Sequence, residues 1–80
     1  MDLTAEQRDA LKLMLSITES YRTLSIGNAH ILNRLARDQF KIDLDIAPTI
    51  VAIQSRKGNL IYAEIDRLRA TIREIEERST

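Results

Sequence analysis

The sequence has no cysteine and no tryptophan, and only two glycines and one proline among its 80 residues. Without cysteine there is no disulfide and no thiolate metal ligand, so stability must come from regular helix packing or from association with another chain. A domain of this size buries only about 60% of the surface that its unfolded chain exposes. We therefore expect a single domain over residues 1–80 with a marginal core of its own.

Long apolar runs are also missing. The runs at 50–53 and 60–63 are far shorter than the roughly 18 residues that a membrane-spanning helix needs. At the N-terminus, Asp2 and Glu6 are acidic where a secretory signal would carry basic residues followed by an apolar stretch. We expect a complete cytoplasmic protein that makes no contact with a membrane.

Charge of neither sign predominates, because twelve basic residues balance twelve acidic ones. No overall field would draw the protein to nucleic acid or anionic lipid, so such binding would require a local patch. The single histidine, His30, has no cysteine or convincing carboxylate set beside it, and no serine lies in a Gly-x-Ser-x-Gly motif. We expect no catalytic, cofactor-binding or metal-binding residues, and therefore no enzyme.

The first half of the sequence has the periodicity of an amphipathic helix. Thr4 and Gln7 fit a capping box at its start. Residues then recur at alternating spacings of three and four, as at the a and d positions of a heptad repeat. We call this set, together with its counterpart in the second half, the predicted seam: Met14, Ile17, Tyr21, Leu24, Asn28, Ile31, Leu35, Ile61, Ile65, Leu68, Ile72 and Ile75.

Asn28 is the one polar member of the predicted seam. A buried asparagine at such a position can fix the register of a helical bundle, and an exposed or capping position would suit it equally well. After residue 40 the helical pattern stops, and the only proline, Pro48, suits the first turn of another helix with Asp45 as its N-cap. The chain is expected to reverse near residues 42 and 43.

Gly27 and Gly58 decide between two architectures, because each precedes an asparagine within a helix-like segment. Each pair could end one helix and cap the next, which gives four short helices. Alternatively, the glycines lie inside two long helices at the same level of a hairpin, where apolar residues of the two arms also fall opposite each other. We favour the second, an all-α two-helix antiparallel hairpin with arms over residues 4–39 and 46–78 and bends at both glycines.

The apolar faces of these arms are wider than one neighbouring helix can cover. We therefore expect two hairpins to associate as a homodimer or higher oligomer, most simply a dimeric four-helix bundle. The predicted seam would lie in that bundle.

One local cluster of charge is basic. Three members share a face of the first arm at spacings of three and four, and two would lie across the hairpin. Such a patch can follow a phosphate backbone or hold a nucleotide, although neighbouring aspartates and the zero net charge favour an ordinary mixed surface. The five members are Arg34, Arg37, Lys41, Arg56 and Lys57.

These observations predict a protein that acts by binding. The first interpretation is a small regulatory or inhibitory protein, of the kind that bacteria and their phages encode, which docks a helix face on a larger protein. The second is nucleic-acid or nucleotide binding through the basic cluster, which would weaken steeply with salt. The third is a structural coiled-coil segment whose only activity is self-association.

Overall fold

The computed structural model describes residues 2–79, which form helices and turns without any strand. The all-α class is confirmed, but the two-helix hairpin is wrong, because each expected arm is divided into two helices. The molecule measures 39 × 19 × 18 Å. Its helices are α1 (Ala5–Ile17), α2 (Ile26–Phe40), α3 (Ala47–Ser55) and α4 (Gly58–Arg78).

A polar turn over residues 18–25 divides the first arm. The Thr23 hydroxyl donates to the Ile17 carbonyl at 2.8 Å, and the Thr18 hydroxyl donates to the Met14 carbonyl at 3.0 Å. Side chains therefore satisfy carbonyls at the end of α1. Ser25 starts the next helix as its N-cap, where its hydroxyl accepts from the Asn28 N–H at 3.1 Å.

Because of this turn, α2 folds back along α1 in the antiparallel sense. The Gln7 side-chain nitrogen donates to the Gln39 carbonyl at 3.0 Å, which joins the start of α1 to the end of α2. In one continuous helix these residues would be about 48 Å apart. The capping box predicted at Thr4 and Gln7 is confirmed at the start of α1. Asn28 is half-buried and donates to the Thr23 carbonyl at 2.8 Å, so it fastens the turn to α2.

The second arm is divided after Ser55. Arg56 adopts a left-handed conformation with φ of 58°, which ends α3. The Ser55 hydroxyl donates to the Ala52 carbonyl at 2.6 Å and accepts from the Lys57 N–H at 3.2 Å. The chain therefore turns within two residues, and α4 begins at Gly58.

Both glycines lie in the first turn of a helix, so neither ends a helix and neither bends one. Gly27 is the second residue of α2 and Gly58 is the first residue of α4. Neither has a positive φ. The expected bends at these positions are therefore wrong, and the left-handed helix ends fall instead at Lys41 and Arg56.

Replacing either glycine with alanine should stabilise the fold by about 0.5 kcal/mol, because alanine is the better helix former and restricts the unfolded chain. A Cβ at Gly27 or Gly58 meets no atom within 4 Å. Urea unfolding of Gly27→Ala and Gly58→Ala measures the change. Destabilisation by either substitution would mean that the glycine serves a close approach or a bend after all.

The loop between α2 and α3 corrects the expectation that Asp45 caps the next helix. The N-cap is Ile46, and Pro48 follows in the first turn. Asp45 has a φ of 50°, and its N–H donates to the Asp43 carboxylate at 2.9 Å. Asp43 therefore supplies the side chain that stabilises this turn.

The four helices enclose a single core. Helix α1 lies antiparallel along α4, since the Arg69 guanidinium reaches the Leu15 carbonyl near the end of α1, whereas Glu76, near the end of α4, lines a depression with Leu3 just before α1. Among the described residues, no helix is long and apolar enough to cross a membrane. Seven members of the predicted seam are buried inside the single chain: Met14, Ile17, Leu24, Ile65, Leu68, Ile72 and Ile75. These residues need no second chain to cover them.

Candidate functional site

Both tyrosines of the chain lie side by side at the surface. Tyr21 belongs to the turn after α1 and Tyr62 to the beginning of α4, and their rings meet edge to face with centroids 6.2 Å apart. The Arg22 guanidinium carbon lies 5.9 Å from the centroid of the Tyr21 ring. Each tyrosine remains 51% exposed. We call Tyr21, Arg22 and Tyr62 the tyrosine surface.

Buried neighbours hold the tyrosine surface in place. Tyr21 lies three residues before the buried Leu24 in the turn that follows α1, and the hydrogen bond from the Thr23 hydroxyl to the end of α1 closes this turn. Tyr62 lies two helical turns before Arg69 on the same flank of α4, and Arg69 is bound to α1. The two rings are therefore carried by elements that are themselves fixed together, so partner binding would order few additional side chains.

A second exposed apolar area lies where α1 and α2 meet. We call Leu13, Ile31 and Leu35 the leucine surface. Leu13 and Ile31 are exposed and Leu35 is half-buried. Leu13 and Leu35 line a shallow depression of about 370 Å³ whose rim includes Glu6 and Asp9. Two of its members, Ile31 and Leu35, belong to the part of the predicted seam that the four helices leave uncovered, together with exposed Tyr21 and half-buried Asn28 and Ile61.

The five residues of the predicted basic patch do not form one site. Arg34 and Arg37 line a depression of about 410 Å³ on α2, together with His30, Asn33 and Asp38. Arg37 also lines a neighbouring depression of about 450 Å³ with Lys41, Ile42 and Asp43.

The other two predicted members are separate from these depressions. Arg56 and Lys57 form the turn between α3 and α4 and line neither of them. The expected juxtaposition depended on two long arms, which the chain does not have.

Two arginines of α4 have structural partners that the sequence did not reveal. The Arg67 guanidinium donates to the Leu44 and Asp45 carbonyls, each at 2.9 Å. The Arg69 guanidinium donates to the Leu15 carbonyl at 3.1 Å. The available signal is position: the two flank buried Leu68, so they border the apolar stripe of α4 on opposite sides.

Glu64 completes the Arg67 network. The carboxylate accepts from the Arg67 guanidinium at 2.9 Å and from the hydroxyl of fully buried Thr49 at 2.7 Å. Burial raises the pKa of Glu64, but the hydrogen bonds from Arg67 and Thr49 and the positive charge of Arg67 outweigh it. The pKa therefore lies below its ordinary value of 4.5.

This shift predicts a pH-dependent contribution to stability. Because the pKa of Glu64 is lower in the folded state than in the unfolded state, the contribution is present above about pH 4.5 and disappears as the pH falls through the folded pKa. Urea unfolding of wild type and Glu64→Gln should show a stability difference at neutral pH that shrinks on acidification. The quantity to compare is the difference in the free energy of unfolding between the two proteins, because protonation of the other carboxylates changes the stability of both alike. A difference that stays constant into the acid range would contradict the prediction.

Comparison with known protein families, curated proteins and solved structures gives no match to this chain. Within residues 2–79, no group of three or more histidine, aspartate or glutamate side chains is placed to hold a metal ion. The function is therefore inferred from the exposed surfaces themselves.

Proposed function

We propose that this is a small, non-enzymatic regulatory or inhibitory protein of bacterial or phage origin that acts in the cytoplasm by binding a larger protein. The tyrosine surface is the observation that carries this proposal. Tyrosine and arginine are enriched at protein interfaces and contribute a large share of binding energy there. The core closes without these two rings, which leaves half of each available to a partner.

The charges around the tyrosine surface indicate the partner's chemistry. Arg22 forms no ion pair within the described part of the chain, where the ion pairs are Arg67 with Glu64 and Arg73 with Glu76. A matching surface would offer an apolar cleft for the two rings and a carboxylate for Arg22. The occupant is thus a folded protein with an acidic group beside an apolar recess.

Photo-crosslinking followed by titration tests this proposal. A photoreactive residue at position 62 should capture one protein, whose purified form then binds the wild-type chain in direct titration. Tyr21→Ala and Tyr62→Ala should each weaken the Kd at least about tenfold, as expected for interface residues that dominate binding energy.

Val51→Ala is the matched control, because Val51 is an apolar residue of α3 with 63% exposure. It should change the Kd by no more than about twofold if Val51 lies outside the interface. Circular dichroism must show that all three variants remain folded. Equal losses in the tyrosine and valine variants, or full binding without the tyrosine rings, would count against the tyrosine surface.

Self-association belongs to the same proposal, with the leucine surface as the contact between copies. Glu6 and Asp9 lie at the rim of this surface, around the apolar side chains of Leu13 and Leu35. A two-fold axis through the leucine surface would bury these apolar side chains against their counterparts and leave the two carboxylates at the solvated edge. The dimer would then consist of two four-helix chains.

Analytical ultracentrifugation of wild type and Ile31→Asp tests the dimer. Wild type should sediment as a dimer and Ile31→Asp as a monomer, because the new charge would be buried in the apolar contact. Val51→Asp, the same kind of change on α3, should remain dimeric. A monomeric wild type would remove this part of the proposal, and a dimer that binds no other protein would favour the structural interpretation.

A further inference from the structure

We infer that α2 carries a separate binding surface for the phosphodiester backbone of nucleic acid. His30, Arg34 and Arg37 follow one another at spacings of four and three along the exposed side of α2, and Lys41, the C-cap residue, lies beside Arg37 in a shared depression. We call these four residues the basic row. From first to last the row extends for about 16 Å.

The cations of the basic row are available to a ligand. All four side chains are exposed. Arg34, Arg37 and Lys41 form no ion pair within residues 2–79, where the ion pairs lie on α4. The Lys41 ammonium has a long contact of 3.5 Å with the Asp38 carbonyl. Three permanent charges therefore point to solvent without a carboxylate bound to any of them.

Two acidic groups oppose these charges. The Asp43 carboxylate accepts a hydrogen bond from the Asp45 N–H at 2.9 Å, so it is already engaged in the loop. Asp38 lines the same depression as His30, Arg34 and Arg37. Three cations thus outnumber two carboxylates, and Asp38 is the residue whose charge most directly limits anion binding at the row.

The shape of the basic row favours a linear ligand. Arg37 lines both depressions of the row, of which the first lies on α2 and the second at its C-terminal end and the following loop, so together they form a track. No phenylalanine, tyrosine or tryptophan lines either depression, so contact with the phosphate backbone is the main mode available. The track is held in place because the Asn33 side chain accepts from the Leu44 N–H at 3.2 Å. Binding would therefore be independent of base sequence.

Fluorescence anisotropy with short labelled duplex DNA, single-stranded DNA and single-stranded RNA tests the inference. Wild type should bind with a Kd on the order of 10⁻⁴ M, as in weak non-specific binding. For duplex DNA, three phosphate contacts predict a slope of log K against log salt of about −2.7. Binding to DNA or to RNA supports the inference, and the stronger of the two indicates the natural ligand. A flat salt dependence or no binding to any of the three would overturn it.

Matched substitutions separate the basic row from general charge effects. Arg37→Glu should weaken binding at least about tenfold, whereas Arg56→Glu, with the same charge change outside the row, should alter it by no more than about twofold. Asp38→Asn should tighten binding several-fold, a gain that misfolding cannot produce. Equal losses in the two arginine variants, or no gain with Asp38→Asn, would overturn the assignment to α2.

Discussion

Replacing Leu68 with alanine should lower the free energy of unfolding by about 3 to 4 kcal/mol, because it leaves a cavity where α4 meets the other helices. The Leu68 side chain is 0% exposed and belongs to the core of the single chain. For a domain whose total stability is about 5 kcal/mol or a little more, this loss would leave a large unfolded fraction near physiological temperature. Urea unfolding followed by far-ultraviolet circular dichroism measures the change.

Leu60→Ala is the matched control for this experiment. It removes the same atoms from the same helix, but Leu60 is 41% exposed, and the expected loss is below about 1 kcal/mol. Both substitutions should also be measured in the Ile31→Asp background, which lacks the proposed contact between copies. If the cost of Leu68→Ala came from such a contact, it would disappear in that background, whereas the single-chain core predicts the same loss. A loss for Leu68→Ala as small as that for Leu60→Ala would contradict the single-chain core.

Replacing Arg67 with alanine should cost about 2 to 3 kcal/mol, the second-largest effect that we expect. The substitution removes the donor to the Leu44 and Asp45 carbonyls and leaves the Glu64 carboxylate, half-buried beside Thr49, without its cation. The estimate stays at the low end for a broken network because the Arg67 side chain is 38% exposed and partly screened by water.

Arg73→Ala is the control for the Arg67 network. Arg73 also pairs with a glutamate of α4, in this case Glu76, at 3.1 Å, but 57% of the Arg73 side chain is exposed. Its removal should cost no more than about 0.5 kcal/mol. Urea unfolding of both variants at neutral pH provides the comparison. Similar small losses would mean that Arg67 is an ordinary surface residue.

Much of the fold could be predicted from the sequence where the signal was local. The capping box at Thr4 and Gln7, the helical class and the placement of Pro48 in a first helical turn all depend on residues within one turn of each other. The N-cap at Ile46 was missed, because Asp45 has the right side chain but takes a left-handed backbone conformation in the loop. The residue type makes Asp45 a favourable N-cap, but the backbone conformation decides which residue caps the helix.

The division of the first arm was missed because the apolar spacing continues through the turn. Tyr21 and Leu24 follow Ile17 at heptad intervals, yet residues 18–25 are not helical. The informative residues were Thr18 and Thr23, whose hydroxyls bind carbonyls of the preceding helix. Once α1 ends, its apolar side can be covered by α2 and α4 of the same chain, so a wide apolar face no longer requires a second copy.

The tyrosine surface could not be predicted from the sequence. Tyr21 and Tyr62 come from different halves of the chain, and only the turn after α1 and the antiparallel placement of α1 on α4 bring their rings together. Arg67 shows the same limitation, because its carbonyl partners belong to a loop more than twenty residues earlier in the chain. The basic row on α2 is the opposite case, since helical spacing alone places Arg34 and Arg37 on one face.

The tyrosine surface and the leucine surface both depend on the turn that folds α2 back on α1, and a distance between two spin labels measures this directly. The chain has no cysteine, so Asp9→Cys with Asp38→Cys gives two exposed labelling sites without background. Labels on adjacent helices packed about 8 to 10 Å apart should lie within about 25 Å of each other, in keeping with the molecular width of 19 Å. Pulsed electron spin resonance is measured on the doubly labelled protein diluted with unlabelled protein, so that only distances within one chain contribute. A single narrow distance in that range is the predicted result. A distance near 44 Å, the separation of these residues along one continuous helix of about 1.5 Å rise per residue, would contradict the four-helix chain and the surfaces built on it.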